Sequence, residues 1–153
     1  MVLAVDSRES SIVRAKFKSM EQDYKDLEIE IKALKTGDYE DENMILENKS
    51  IDDFISSFTQ RTKRKDGSDY ERLDSQLKRL IEMDKPIKII MIHGRLEDAY
   101  SQVHPNAVRG MVASCICQGI TVLWNDDHDW PQQVYRIHKK SLKYGGNNNN
   151  KFK

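Results

Sequence analysis

The sequence predicts an α/β domain. Short apolar or alternating runs suited to strands take turns along the chain with segments whose apolar residues recur at helical spacing, which suits neither a helical bundle nor a sandwich. The run Ile87 to Ile92 is nearly continuous and rich in β-branched residues, as in a central strand covered on both faces. With 153 residues, 38% of them hydrophobic, the chain is long enough to bury a core without disulfides or structural metals, so one domain over residues 1–144 is expected.

The elements follow in order. Val2 to Val5 reads as a strand ending at Asp6, and Ser7, Ser10 and Ser11 lead into a helix carrying Ile12, Val13, Ala15, Phe17 and Met20. Leu27, Ile29 and Ile31 alternate with Glu28, Glu30 and Lys32, the period of a strand with one buried face, until Thr36-Gly37-Asp38 breaks it. Met44 to Lys49 is a second short strand, and Ser50 can cap a helix holding Ile51, Phe54, Ile55 and Phe58. Thr59 to Asp69 contains no hydrophobic residue and predicts an exposed, mobile basic loop. Leu73, Leu77, Leu80 and Ile81 mark a helix that ends before Pro86, and the strand from Ile87 closes at His93-Gly94. From Pro105, Val108, Met111, Val112, Cys115 and Ile116 form a helical stripe with Gly119 at the C-cap. Ile120 to Trp124 is the last strand, and Asp129 with Pro131 opens a final helix reaching about Lys143. Residues 145–153, rich in glycine and asparagine, predict a disordered tail.

Charge excludes some partners and not others. Lys plus Arg number 25 and Asp plus Glu number 25, so no global field announces a nucleic acid or a membrane, and such a partner must be met by local patches. The N-terminus has no basic stretch followed by an apolar run, and no stretch approaches membrane-spanning length; an intracellular location, cytoplasm or nucleus, is expected. Cys115 and Cys117 sit two apart on the predicted helix, where side chains diverge, so they read as small core residues rather than a disulfide or zinc pair. His93, His104, His128 and His138 show no ligand spacing, and Trp124 and Trp130 read as core and interface residues.

The most informative feature is Asp38 at the end of one predicted strand with Glu47-Asn48-Lys49 on the next. Alternation puts Glu47 and Lys49 on one strand face and Asn48 on the other, and adjacent strands would bring Asp38 beside them. Two carboxylates and an ammonium form a site for a hard divalent cation, which takes oxygen ligands. Such a cation lowers the pKa of its bound water, polarises a phosphoryl oxygen and offsets transition-state charge, while the lysine orients water or stabilises the developing charge. The competing reading is a solvated cross-strand ion pair of small energetic weight.

Ordered motifs extend this pattern along the chain. Asp6-Ser7-Arg8-Glu9, Gly37-Asp38-Tyr39 and Glu47-Asn48-Lys49-Ser50-Ile51-Asp52-Asp53 resemble the VDxRE, GDY and ERKxxxD motifs of XPF-type structure-specific endonucleases. Gln76 to Leu80 resembles that family's QxxRL helix, and Val103 to Gly110 is similar to a stretch of the archaeal Hef nuclease domain. The resemblance runs from about Leu3 to Lys140. It implies a restriction-endonuclease-like central mixed sheet with helices on both faces, and Mg²⁺- or Mn²⁺-dependent cleavage of flapped, forked or junction DNA in repair or recombination. It also implies Asp38 and Glu47 as primary metal ligands, Lys49 as catalytic lysine, and Asp6, Glu9 and Asp53 completing the acidic cluster, with Asp53 alternatively favouring its own helix N-terminus. For Arg8 two roles stand open, bracing that cluster or touching a DNA phosphate. Arg61, Lys63, Arg64 and Lys65 are the remaining candidates for phosphate contact.

Two departures shape the alternatives. Asn48 stands where the family has arginine, and the helix-hairpin-helix module that relatives usually append is expected to come from elsewhere, a partner protein being one source. A homodimer through the C-terminal helices is implied by the same resemblance. Against the endonuclease stand a non-catalytic DNA-binding or scaffolding subunit of a nuclease heterodimer and a junction resolvase on the same core.

Overall fold

The structure, a computed structural model, describes residues 2–100, 102–125 and 128–145. Among these the elements are β1 (Val2–Asp6), α1 (Ser11–Asp23), β2 (Glu28–Lys32), β3 (Tyr39–Glu40), β4 (Met44–Ser50), α2 (Ile51–Thr59), β5 (Arg61–Lys63) and β6 (Asp69–Glu71). They continue with α3 (Arg72–Glu82), β7 (Ile87–His93), a 3-10 turn over Leu96–Asp98, α4 (Pro105–Cys117), β8 (Thr121–Asn125) and α5 (Trp130–Gly145). Six of the described strands form one mixed sheet in the order β2-β1-β3-β4-β7-β8. The α/β expectation holds. Gly145 closes α5, and the rest of the tail expected to be disordered lies outside the described residues. No described helix is long and apolar enough to cross a membrane.

Two compact units divide the chain. The first comprises Met1–Glu47, Asp84–Ile87 and His128–Lys153. Here β1 pairs parallel with β2 and antiparallel with β3, which in turn pairs antiparallel with β4. Leu3 and Val5 face the same core as Phe17, Tyr39, Met44 and Val134, all fully buried, and Ala4 between them is buried as well, so β1 is covered on both faces. Phe17 lies 4.8 Å from Tyr39, whose ring is 6.0 Å from Trp130, so aromatic packing ties α1 and α5 to β3. At the turn between β3 and β4, buried Asp41 accepts from the backbone of Asn43 and Met44, both at 2.8 Å, and bonds His138 Nδ1 at 2.7 Å and the Ser141 hydroxyl of α5. Burial pushes the Asp41 carboxyl up, but the bonds from His138, Ser141 and Asn43 outweigh it and leave the group below its ordinary value.

The second unit comprises Asn48–Met83 and Lys88–Asp127. Ser50 caps α2 by accepting from Asp53 N–H at 3.1 Å, and Phe54, Ile55, Leu73, Leu77 and Leu80 bury the facing sides of α2 and α3. β7, α4 and β8 form a parallel crossover in which Ile90 is opposite Val122. Gly119 N–H bonds Ile116 and Ile120 N–H bonds Cys115, the paired bonds that close α4 as its glycine predicted.

Three expectations need correction. Residues 59–69 are not an irregular loop: β5 pairs antiparallel with β6, and Asp66 accepts from the backbone and hydroxyl of Ser68 at 2.9 and 2.7 Å to close the turn. With Tyr70 its one hydrophobic residue, the hairpin shows no period of two, and turn chemistry closes it. Cys117 is exposed while Cys115 is buried, so only one of the pair is a core residue. The α4 stripe is also incompletely covered, since Val108 is fully buried whereas Ile116 is 56% exposed.

Candidate active site

The site grows from strand register. Ala4 and Val5 pair with Glu40 and Tyr39, and Tyr39 and Glu40 pair with Leu46 and Ile45. Continuing the β1-β3 ladder by one residue sets Asp38 opposite Asp6, and Asp6 N–H donates to the Asp38 carbonyl at 2.9 Å. Asp38 N–H donates to the Leu46 carbonyl at 2.9 Å, one residue out of the β3-β4 register, so Asp38 and Tyr39 both face Leu46 in a bulge and Asp38 lies next to the residue before Glu47. Gly37 makes the approach possible. Its φ is +79°, and a Cβ there would lie 2.6 Å from Ile45 Cδ1 and 3.2 Å from the Leu46 carbonyl oxygen.

Glu9 joins them from the turn after β1, where its N–H bonds the Asp6 carbonyl at 3.1 Å. Burial first, then the charge of Asp38 and a hydrogen bond with it, then the charges of Asp6 and Glu47, push the Glu9 carboxyl up to about 8. The same burial, with Glu9, Asp38 and Asp6 nearby, raises the Tyr39 phenol, whose buried hydroxyl has no hydrogen-bond partner. Four carboxylates thus share one strongly negative corner of the first unit. Among the described residues, no three His, Cys, Asp or Glu side chains are arranged to hold an ion together. In donor chemistry the corner still suits a hard divalent cation, being made of carboxylate oxygens alone, one of them held protonated by its neighbours.

The remaining candidates differ in their commitments. Both oxygens of Asp6 are engaged, one accepting from Arg8 Nε at 2.9 Å and the other from Leu34 N–H at 3.2 Å. Arg8 also donates to the Leu34 carbonyl at 2.8 Å, so of its two open roles the structure shows the brace. Lys49 follows Glu47 by two positions on β4 and is buried, 7% exposed, which is not the solvated pair of the competing reading. Asp53 sits in the first turn of α2 and acts electrostatically on His93, while Arg61, Lys63, Arg64 and Lys65 project exposed from the β5-β6 hairpin.

One participant escapes a reading of spacing. His93 Nδ1 lies 3.0 Å from Asn48 Oδ1, joining the end of β7 to the residue between Glu47 and Lys49. Burial lowers the His93 pKa, and Asp53 partly opposes it. The nearest available signal was the position of His93 at the carboxyl end of a buried strand.

Comparison with known proteins follows this geometry. The model of the ERCC4 domain matches residues 5–134. The fold is similar to XPF from Aeropyrum pernix, with a TM-score of 0.74 at 21% identity over 94% of this chain, which spans 66% of that protein's length. It is also similar to XPF from Aeropyrum pernix in complex with DNA, with a TM-score of 0.66 at 21% identity over 98% of this chain and 68% of that one. No curated protein matches the sequence.

Proposed function

The chain belongs to the ERCC4 domain family, and from that premise we propose that it is a metal-dependent endonuclease acting on branched DNA. The observation that carries the reading is the gathering of Asp6, Asp38 and Glu47 around Glu9, with Lys49 two residues along β4 from Glu47. Asp38 and Glu47 would hold Mg²⁺ or Mn²⁺, with Glu9 and Asp6 completing the negative corner; a bound cation there supplies an acidified water and charge neutralisation at the phosphoryl group. Lys49, kept from bulk water, orients the attacking water or stabilises the charge that develops on the phosphoryl oxygens. Asp53, in the first turn of α2, would complete the acidic set or favour the N-terminus of its own helix.

Arg61, Lys63, Arg64 and Lys65, with the exposed flank of Arg8, supply the sequence-independent hold on phosphates. The DNA-bound state of an XPF of the same fold supports that role. The uncovered Ile116 on α4 supports a homodimer through the C-terminal helices. A helix-hairpin-helix module supplied by a partner protein would add to the grip on DNA.

The test is cleavage of labelled flap, fork and duplex DNA with Mg²⁺ or Mn²⁺. Cutting of branched substrates by the wild type and its loss in Asp38→Ala is the expected result; no metal-dependent cutting of any of them, with wild type equal to Asp38→Ala, overturns it. The neutral Asn48 favours one second reading, a non-catalytic DNA-binding subunit. That subunit would bind flaps with an affinity unaffected by metal and by Lys49→Ala.

A further inference from the structure

At one end of the sheet, among the described strands, stands β2, which pairs with β1 on one side alone. An open edge of this kind is a template for another chain unless something covers it. Within the first unit, α1 covers it with two side chains. Lys18 Nζ donates to the Ile29 carbonyl at 2.8 Å, the Ile29 N–H donates to Glu21 Oε1 at 3.1 Å, and Lys18 and Glu21 are themselves 3.2 Å apart. Both backbone polar groups of one edge residue are thus held by a single i,i+3 pair of a helix.

The parallel pairing fixes which groups point outward. The Lys32 carbonyl accepts from Ser7 N–H at 2.9 Å just past the end of β1, so Glu28, Glu30 and Lys32 turn their backbone groups toward β1, and Ile29 and Ile31 turn theirs away. Ile31 therefore continues the outward line that Lys18 and Glu21 interrupt at Ile29. Side chains alternate as well: Ile29 is buried and Ile31 half-buried, while Glu28, Glu30 and Lys32 are exposed on the other face.

A strand that fits this edge is its own copy. A two-fold axis through Glu30 would set two β2 strands antiparallel, with Glu28 opposite Lys32 twice, Ile29 opposite Ile31 twice and Glu30 opposite its mate. Two opposite-charge pairs outnumber one like-charge pair, and the outward groups of Ile29 and Ile31 fall in the hydrogen-bonded positions. We propose that Lys18 and Glu21 are a guard on the sheet edge, holding β2 closed to the β2 strand of a second copy. The guard is built from α1 and β2 alone, with no residue of the C-terminal helices or of the catalytic candidates, so it holds independently of the endonuclease reading.

The experiment compares the full chain with its Lys18→Ala/Glu21→Ala variant by sedimentation over a wide range of concentration. Any association through the C-terminal helices is common to both and cancels. As concentration rises the double variant should become heavier than the wild type, by up to about twofold, because an isologous edge pairing closes on itself. Adding Lys32→Glu should restore the wild-type mass, since it turns both Glu–Lys pairs into like charges. In dilute solution the Ile29 amide should exchange with deuterium roughly 2- to 12-fold faster in the double variant, the loss of one hydrogen bond, and slow again as the copies pair. Glu21→Gln, which keeps an acceptor for the Ile29 N–H, should keep the wild-type mass. A double variant with wild-type circular dichroism and wild-type mass at every concentration overturns the proposal. So does association that Lys32→Glu leaves in place, since another surface is then responsible, and so does association of Glu21→Gln equal to that of the double variant, since lost charge rather than a freed edge then drives it. If the double variant fails to fold, Lys18→Ala alone, which frees the Ile29 carbonyl and keeps the Glu21 bond, is judged by the same masses.

Discussion

Asp38 shares a hydrogen bond with Glu9, whose carboxyl also meets the charges of Asp6 and Glu47. Like charges gathered on neighbouring strands are destabilising. Removing one carboxylate should therefore separate function from stability. Glu47→Gln is expected to abolish metal-dependent cutting while melting, in chelator, no lower than the wild type. Added Mn²⁺ should raise the melting temperature of the wild type and leave that of Glu47→Gln in place, because only the former retains the donor pair. Thermal melts with and without Mn²⁺ decide this; a variant that melts well below wild type in chelator would show that Glu47 is chiefly structural.

Gly37 holds Asp38 in place, and the prediction for it is steric. Gly37→Ala places a Cβ 2.6 Å from Ile45 Cδ1 in a backbone of φ +79°, so unfolding in urea should show a loss of about 1–3 kcal/mol. Cutting should fall by more than the unfolded fraction accounts for, since Asp38 is displaced as Ile45 gives way.

Asp41 carries a pH dependence whose sign follows from its lowered pKa. A carboxylate that ionises more readily when folded contributes stability above its unfolded pKa, about 3.9, and loses that contribution as pH falls through the folded value. The wild type should thus lose stability on acidification below about pH 4 more steeply than Asp41→Asn. At pH 7 Asp41→Asn should cost about 1.5–3 kcal/mol, because His138 and Ser141 lose a charged partner inside the core. Urea unfolding at a series of pH values, compared between the two proteins, measures both; parallel pH profiles would remove Asp41 from this role.

These residues also show what was legible in the sequence. Glu47 and Lys49 declared their common face through the period of two along β4, and the alternation of apolar runs declared the α/β class. Asp38 was expected beside them, but β3, the strand that follows it, was hidden, being two residues long and too short for any period to show. The partnership of Asp41 with His138 spans 97 residues and that of Asn48 with His93 spans 45, and such pairings arise only when packing brings distant elements together. The β5-β6 hairpin was hidden for the opposite reason, being entirely local and set by turn chemistry, with Tyr70 alone too little to signal a strand period.

That hairpin yields the last prediction. Arg61, Lys63, Arg64 and Lys65 are exposed, and Arg61 lies 3.9 Å from Glu71, too distant and too solvated to hold it from a phosphate. Each phosphate they neutralise should add about 0.9 to the slope of log affinity against log salt on duplex DNA. Replacing Lys63, Arg64 and Lys65 together with glutamine should therefore lower the slope by up to about 2.7 and weaken binding most at low salt. Folding should change little, since Asp66, Ser68 and the backbone close the turn at 2.7–3.0 Å and the substituted side chains add only the 3.5 Å contact of Arg64 with the Ser68 hydroxyl. Filter or anisotropy titrations from low to moderate salt measure the slope, and a variant with the wild-type slope would move the phosphate contacts off the hairpin and onto the sheet edge beside Arg8.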